Sequence, residues 1–150
     1  MNKCKPLKTA TLLVAVIAIV LPALGRSNKK ALFKYVAGTE PMAKGCEGKL
    51  EVKESDLVFN CQGKSVAVPY NTVTQMEFLP KISKKIRKMK LDWAIKPPSS
   101  RGKHAGFFSV LYREGDQTRA IILKARDDTM RPYMAEIDLR TGRPIESRKD

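Results

Sequence analysis

Residues 105–142 constrain the fold of this chain more than any other stretch. Residues 105–112 and 118–124 are dense in aromatic and β-branched side chains, and Glu114-Gly115-Asp116 between them is a hairpin turn signal. Asp127, Asp128 and Thr129 then offer N-cap oxygens, and Met130, Tyr133, Met134 and Ile137 recur at the spacing of one helix face. Gly142 supplies the helix stop, with Pro144 beyond it. Four or more strand patterns precede this unit and none follows it. The helix is therefore expected to lie across an otherwise open sheet or barrel, in a chain that is mainly β with one C-terminal capping helix.

The N-terminus predicts a different role. Lys3, Lys5 and Lys8 form a basic start, and residues 9–25 carry no charge and include the run Leu12-Leu13-Val14-Ala15-Val16-Ile17-Ala18-Ile19-Val20-Leu21. Pro22 breaks that run, and Ala23-Leu24-Gly25 places small residues where signal peptidase reads them, so residues 1–25 read as a signal helix cleaved before Arg26. The alternative is a signal anchor: residues 9–25 can just span a bilayer, and Arg26, Lys29 and Lys30 crowd the cleavage point. A lipoprotein is not expected, because Cys4 precedes the apolar run. Both routes place the domain outside the cytoplasm, periplasmic or secreted in one case and held at the inner membrane in the other. The organisation that follows is a signal segment (1–25), a lead-in (26–45), one domain (46–145) and a charged tail (146–150).

Leu32, Phe33, Tyr35 and Val36 are the apolar cluster of the lead-in and predict an added edge strand. Residues 48–53 and 56–61 alternate cleanly, and a two-residue turn at Glu54-Ser55 pairs Val52 with Leu57 and Leu50 with Phe59, so both apolar sets share one face. That register puts Cys61 opposite Gly48, with Cys46 one diagonal step away at roughly 7 Å, the edge of what a disulfide tolerates. A Cys46 to Cys61 bridge is expected in an oxidising compartment, helped by a bulge at a flanking glycine, with two packed thiols as the alternative. No Cys-x-x-Cys spacing supports redox catalysis. Residues 65–70 and 72–79 give two further strands, with Pro69 confined to an edge or a strand exit. Short strands at such close spacing predict a sandwich or barrel.

Lys and Arg number 29 against 15 Asp and Glu, a formal net charge of +14, so the partner is expected to be anionic. The cations concentrate at Lys81, Lys84, Lys85, Arg87, Lys88 and Lys90, while Ile82, Ile86 and Met89 recur at helical spacing. Lys81, Lys84, Lys85, Arg87 and Lys88 are the candidate contacts to an anionic lipid surface or an acidic protein. The apolar triplet either inserts into lipid or joins the core, leaving the cations as a solvated face. Trp93 is placed to anchor the far end of the segment. Nucleic-acid binding is the second class, disfavoured by export and by aromatics that sit in core strands rather than between lysines. An enzyme inhibitor or a catalytic barrel is a third class, for which no residues stand out. His104, the single histidine, reads as a solvated loop residue; Asp127-Asp128 reads as a helix start rather than a metal pair. No phosphate-cradling glycine loop or Gly-x-Ser-x-Gly elbow is present, so no catalytic residue, metal or cofactor is expected.

The order of these elements resembles the pleckstrin-homology-like superfold, and more narrowly the small bacterial PH-like or GRAM-like domains. The resemblance rests on Tyr35-Val36-Ala37-Gly38-Thr39, residues 45–50, Val68-Pro69-Tyr70 with Val73, and Ile137-Asp138-Leu139-Arg140-Thr141-Gly142, and covers about residues 31–145. It implies a β-sandwich or partly open barrel capped by the helix, and a fold far more than a function, since this superfold hosts lipid, peptide and protein binding alike; with no catalytic residues in view, a non-catalytic binding module is expected. Phosphoinositide binding is not implied, because the turn matched to the basic first hairpin of such domains, Lys53-Glu54-Ser55-Asp56, carries two acids.

Overall fold

The computed structural model describes residues 33–147; the signal segment, the start of the lead-in and the last three residues of the tail lie outside the described residues. The elements are β1 (Phe33–Gly38), β2 (Glu47–Val52), β3 (Asp56–Cys61), β4 (Lys64–Pro69), β5 (Val73–Leu79), α1 (Lys84–Arg87), β6 (Gly106–Glu114), β7 (Gln117–Ala125), α2 (Asp127–Thr141) and β8 (Glu146–Ser147). The strands form one sheet in the order β4-β3-β2-β1-β7-β6-β5-β8. Every pairing is antiparallel except that of β8 with β5.

Turn chemistry fixes the hairpins. Leu50 faces Phe59 and Val52 faces Leu57, the register read from the alternation, and Lys53 N–H donates to the Asp56 carbonyl at 2.9 Å. Gln62 and Gly63 both adopt positive φ, 46° and 77°, as a type I′ turn requires between β3 and β4. Gly115 alone does so at the β6–β7 turn, φ 59°, the II′ pattern.

β2 makes the corner that folds the sheet over. It pairs with β1 through Glu47 and Gly48, then with β3 from Lys49 onward. At the crossing a Cβ on Gly48 would strike the Asn60 carbonyl, so only glycine fits. The halves close on a main core that includes Phe33, Tyr35, Leu50, Phe59, Phe108 and Leu123. α2 covers that core with Met130 and Ile137, both fully buried, and Tyr133 meets the Phe33 ring edge-on at 5.1 Å. Gly142 ends the helix at φ 63°, its N–H donating to the Asp138 carbonyl at 3.0 Å.

Several expectations need correction. The lead-in supplies β1, an interior strand between β2 and β7 rather than an edge, with Phe33, Tyr35 and Ala37 fully buried. Pairing with β7, far along the chain, decides this, and it puts the start of the sheet ahead of residue 46. The N-cap of α2 is Arg126 and makes no side-chain cap bond; Asp128 instead accepts from Arg126 Nε and Nη2 at 3.1 and 2.8 Å. An element also follows the helix, because Glu146 and Ser147 of the expected tail pair with Glu77 and Phe78. Pro69, at the exit of edge strand β4, sits where a residue without an N–H must.

β6 and β7 also bury their outer face. Ala37, Phe107, Leu111, Ala120 and Ile122 form a second core there with Ile82 and Ile86.

Three buried phenols tie loops to the main core. Tyr35 OH donates to the Glu40 carbonyl at 3.0 Å, Tyr112 OH to Glu40 Oε1 at 2.7 Å, and Tyr70 OH to the Lys53 carbonyl at 2.7 Å. Burial pushes each phenol above its ordinary value, and for Tyr112 the bond to Glu40 adds to the effect. Unfolded tyrosines ionise near pH 10 while these stay protonated, so the unfolded chain holds fewer protons in alkali and is favoured there. Stability is expected to be intact below about pH 10 and to fall as pH rises above it, read as a declining melting temperature. Tyr112→Phe is expected to flatten that decline while costing about 1 kcal/mol at neutral pH.

Candidate functional site

The basic segment forms a strap across the second core. Its helix is one turn, Lys84–Arg87, instead of the longer helix read from the apolar spacing. Ser83 starts it, its Oγ accepting from Ile86 N–H at 3.3 Å. Ile82 reaches the core from the residue before that cap, so a longer helix is not needed to bury the triplet. Ile82 and Ile86 are 1% and 0% exposed and Met89 is half-buried, which excludes the two isoleucines from lipid insertion. Trp93 Nε1 donates to the Met89 carbonyl at 3.1 Å, and Ile95 and Gly38 exchange backbone bonds at 3.1 Å, fixing the far end of the strap.

Beneath it lies a polar pair that sequence reasoning passed over. Glu77 is 1% exposed, and its Oε1 accepts from Ser83 N–H at 3.0 Å. Ser109 stands opposite it in the β5–β6 register, its buried Oγ without a hydrogen-bond partner among the described residues. The one sequence signal was an acid within an apolar strand, which a solvated position explains equally well. In the structure Glu77 holds down the start of the strap.

The packing turns the cations outward. Lys81, Lys84, Lys85 and Lys88 are exposed; Arg87 is half-buried and donates from Nε to the Ile82 carbonyl at 3.2 Å. Lys85 Nζ donates to Gln75 Oε1 at 2.7 Å. Among the described residues none of these five forms an ion pair; the pairs are Lys34–Glu47, Lys53–Glu51, Arg119–Glu114, Arg126–Asp128 and Arg140–Glu136.

Lys81 also belongs to a second arrangement, at the end of the sheet where β1 begins. Lys34, Lys124, Phe107 and Leu79 lie in one row across four strands. Beyond that row the chain leaves through Pro80 and Arg126 and returns through Ala105 to Gly106. Gly102 N–H donates to the Pro80 carbonyl at 2.9 Å, which brings Arg101 back to the strap. Leu79, Pro80, Lys81 and Arg101 line an open cleft of about 310 Å³ there. Two neighbouring clefts continue along the rim, one between Phe78 and Met134 and one beside exposed His104 and Arg126, with Asp127 and Arg131 shared between them. Sequence reading missed Arg101, Lys103 and Arg131 as one group, because only the row across β7, β6 and β5 gathers them. No group of three or more His, Cys, Asp or Glu gathers at metal-binding range among the described residues.

Cys46 and Cys61 stand with Cα atoms 6.2 Å apart, inside the disulfide range. Gly45, at φ 81°, gives the distortion that a flat diagonal lacks: its N–H donates to the Tyr35 carbonyl, and Tyr35 N–H donates to the Cys46 carbonyl, each at 2.8 Å. The pair is consistent with an oxidising compartment. No helix among the described residues is long and apolar enough to cross a membrane.

No family model matches the chain, and no curated protein matches it significantly.

Two outcomes follow for stability. With a sequence separation of 15, a Cys46–Cys61 bridge stabilises by about 3 kcal/mol, so both thiols are expected to resist alkylation until reduction, which then lowers the melting temperature. Ile86→Ala is expected to cost about 2–5 kcal/mol in denaturant unfolding, since the side chain is fully buried; a surface residue would cost almost nothing.

Proposed function

We propose that this chain is an exported, non-catalytic PH-like binding module whose cationic strap draws it to an anionic lipid surface without inserting side chains. The observation that carries this reading is the division of the strap: Ile82 and Ile86 face the core, while Lys81, Lys84, Lys85 and Lys88 stand exposed without carboxylate partners among the described residues. Lysines near an anionic surface contribute about 1 kcal/mol each, which suits a reversible contact. Seven antiparallel strands followed by a helix support the PH-like reading, and the cysteine pair supports export.

Neither of the first two hairpin turns gathers more than one cation, Lys44 in one and Lys53 in the other, which speaks against a phosphoinositide site of the PH kind. The first hairpin turn is residues 39–46, not 53–56, which joins the second and third strands. Glu40 and Lys44 are the charged residues of that first turn, and Glu40 is engaged by Tyr35 and Tyr112.

The test is co-sedimentation of the form beginning at Arg26 with phosphatidylglycerol or phosphatidylcholine vesicles. Binding to the anionic vesicles alone, lost as salt shortens the Debye length below about 10 Å, is the expected result. Lys84→Glu with Lys85→Glu and Lys88→Glu is expected to weaken it at least tenfold. Unchanged binding by that variant removes the strap from the contact. Capture of an acidic protein without vesicle binding assigns the surface to a protein partner instead.

A further inference from the structure

The geometry points to the rim of the sheet at Phe33 as the part of the cationic surface that touches the bilayer, the strap's Lys84, Lys85 and Lys88 adding attraction from beside it, with the cleft between Leu79-Pro80 and Arg101 receiving a lipid phosphate. This inference rests on the membrane reading above and says which way the domain faces.

Chain length is the first ground. Seven residues, 26–32, separate the uncharged run from β1, and they reach at most about 25 Å when fully extended. β6 and β7 each hold nine residues, so the hairpin tip at Gly115 stands about 30 Å from the rim. While residues 9–25 are in the membrane, that tether holds the start of β1, and with it the rim, within about 25 Å of the surface, a shorter reach than the β6–β7 hairpin. If the run is cleaved, the charge of the rim remains to orient the domain.

Charge is the second ground. Lys81, Arg101, Lys103 and Arg131 are exposed at the rim, with Lys124 half-buried beside them, and none forms an ion pair among the described residues. Asp128 is occupied by Arg126, which leaves Asp127 as the acid at the start of α2, among the described residues, that faces them. The hairpin tip differs: Glu114 and Asp116 balance Arg113 and Arg119, and Glu114 pairs with Arg119. The hairpin tip therefore adds little attraction of its own.

The cleft supplies the third. Half-buried Leu79 and Pro80 give its lining apolar surface, and exposed Lys81 and Arg101 add two cations. A phosphodiester with the first carbons of its acyl chains matches both: guanidinium and ammonium take the phosphate oxygens, and Leu79 and Pro80 meet the carbons.

The test uses the full chain reconstituted into phosphatidylglycerol or phosphatidylcholine vesicles, brief acetylation, and mass spectrometry of each lysine. Labelling of Lys81 and Lys103 is expected to be several-fold lower in the anionic vesicles, while Lys96, beside the Ile95–Gly38 bridge at the other end of β1, labels equally in both. Arg101→Glu with Arg131→Glu, at exposed positions, is expected to restore Lys103 labelling with an unchanged melting temperature. Shielding of Lys84, Lys85 and Lys88 with Lys81 and Lys103 still labelled overturns the rim and leaves the membrane reading standing. Identical labelling in the two lipids overturns the membrane reading itself. Shielding of Lys81 by inorganic phosphate in the zwitterionic vesicles overturns lipid as the occupant of the cleft.

Discussion

β6 is buried from Gly106 to Tyr112 without interruption, and this withdrawal of both sheet faces from water sets much of the rest. The inner face is met by the folded-over sheet and by α2. The outer face presents Phe107 and Leu111, with Ile122 from β7, and nothing in the strand pairing covers them. Residues 80–95 provide the cover. Each isoleucine they bury is worth about 1.5–3 kcal/mol, enough to hold a segment whose regular structure is a single helical turn. Once Ile82 and Ile86 are committed inward, the alternating lysines have only solvent to face. The cationic display is thus a product of packing, whatever it binds.

The hairpins and α2 were legible because each needs only local information. Alternation with a period of two set the β2–β3 register, and Met130, Tyr133, Met134 and Ile137 marked the face of α2 that packs. β1 was legible as a strand and misplaced as an edge. Phe33, Tyr35 and Ala37 show its alternation, but its position depends on Leu123 and Ile121, which no local window connects to it. The length of α1 failed for a related reason. Spacing of 82, 86 and 89 fits a helix, yet Ile82 enters the core from the extended residue before the Ser83 cap.

The candidate site divides in the same way. The strap cations were legible as composition, since they are contiguous. The rim was not, because Lys81, Arg101, Lys103 and Arg131 come from three separate loops and helix starts. Glu77 was hidden by its chemistry: a buried carboxylate accepting a backbone N–H leaves no trace in hydrophobic pattern.

The place of β1 has a consequence for biogenesis. Among the described residues β1 pairs with β2 through Phe33 and Lys34, with Tyr35 bonded to Gly45 and Cys46 just before β2, and its other edge waits for β7, where Lys34 meets Lys124 and Gly38 meets Ile121. Contacts so distant in sequence close late, because the intervening loop must be ordered first. A chain emerging N-terminus first therefore cannot complete this sheet until residues 121–124 have been made. On the export route proposed above, that delay keeps the sheet incomplete while most of the chain is still being made.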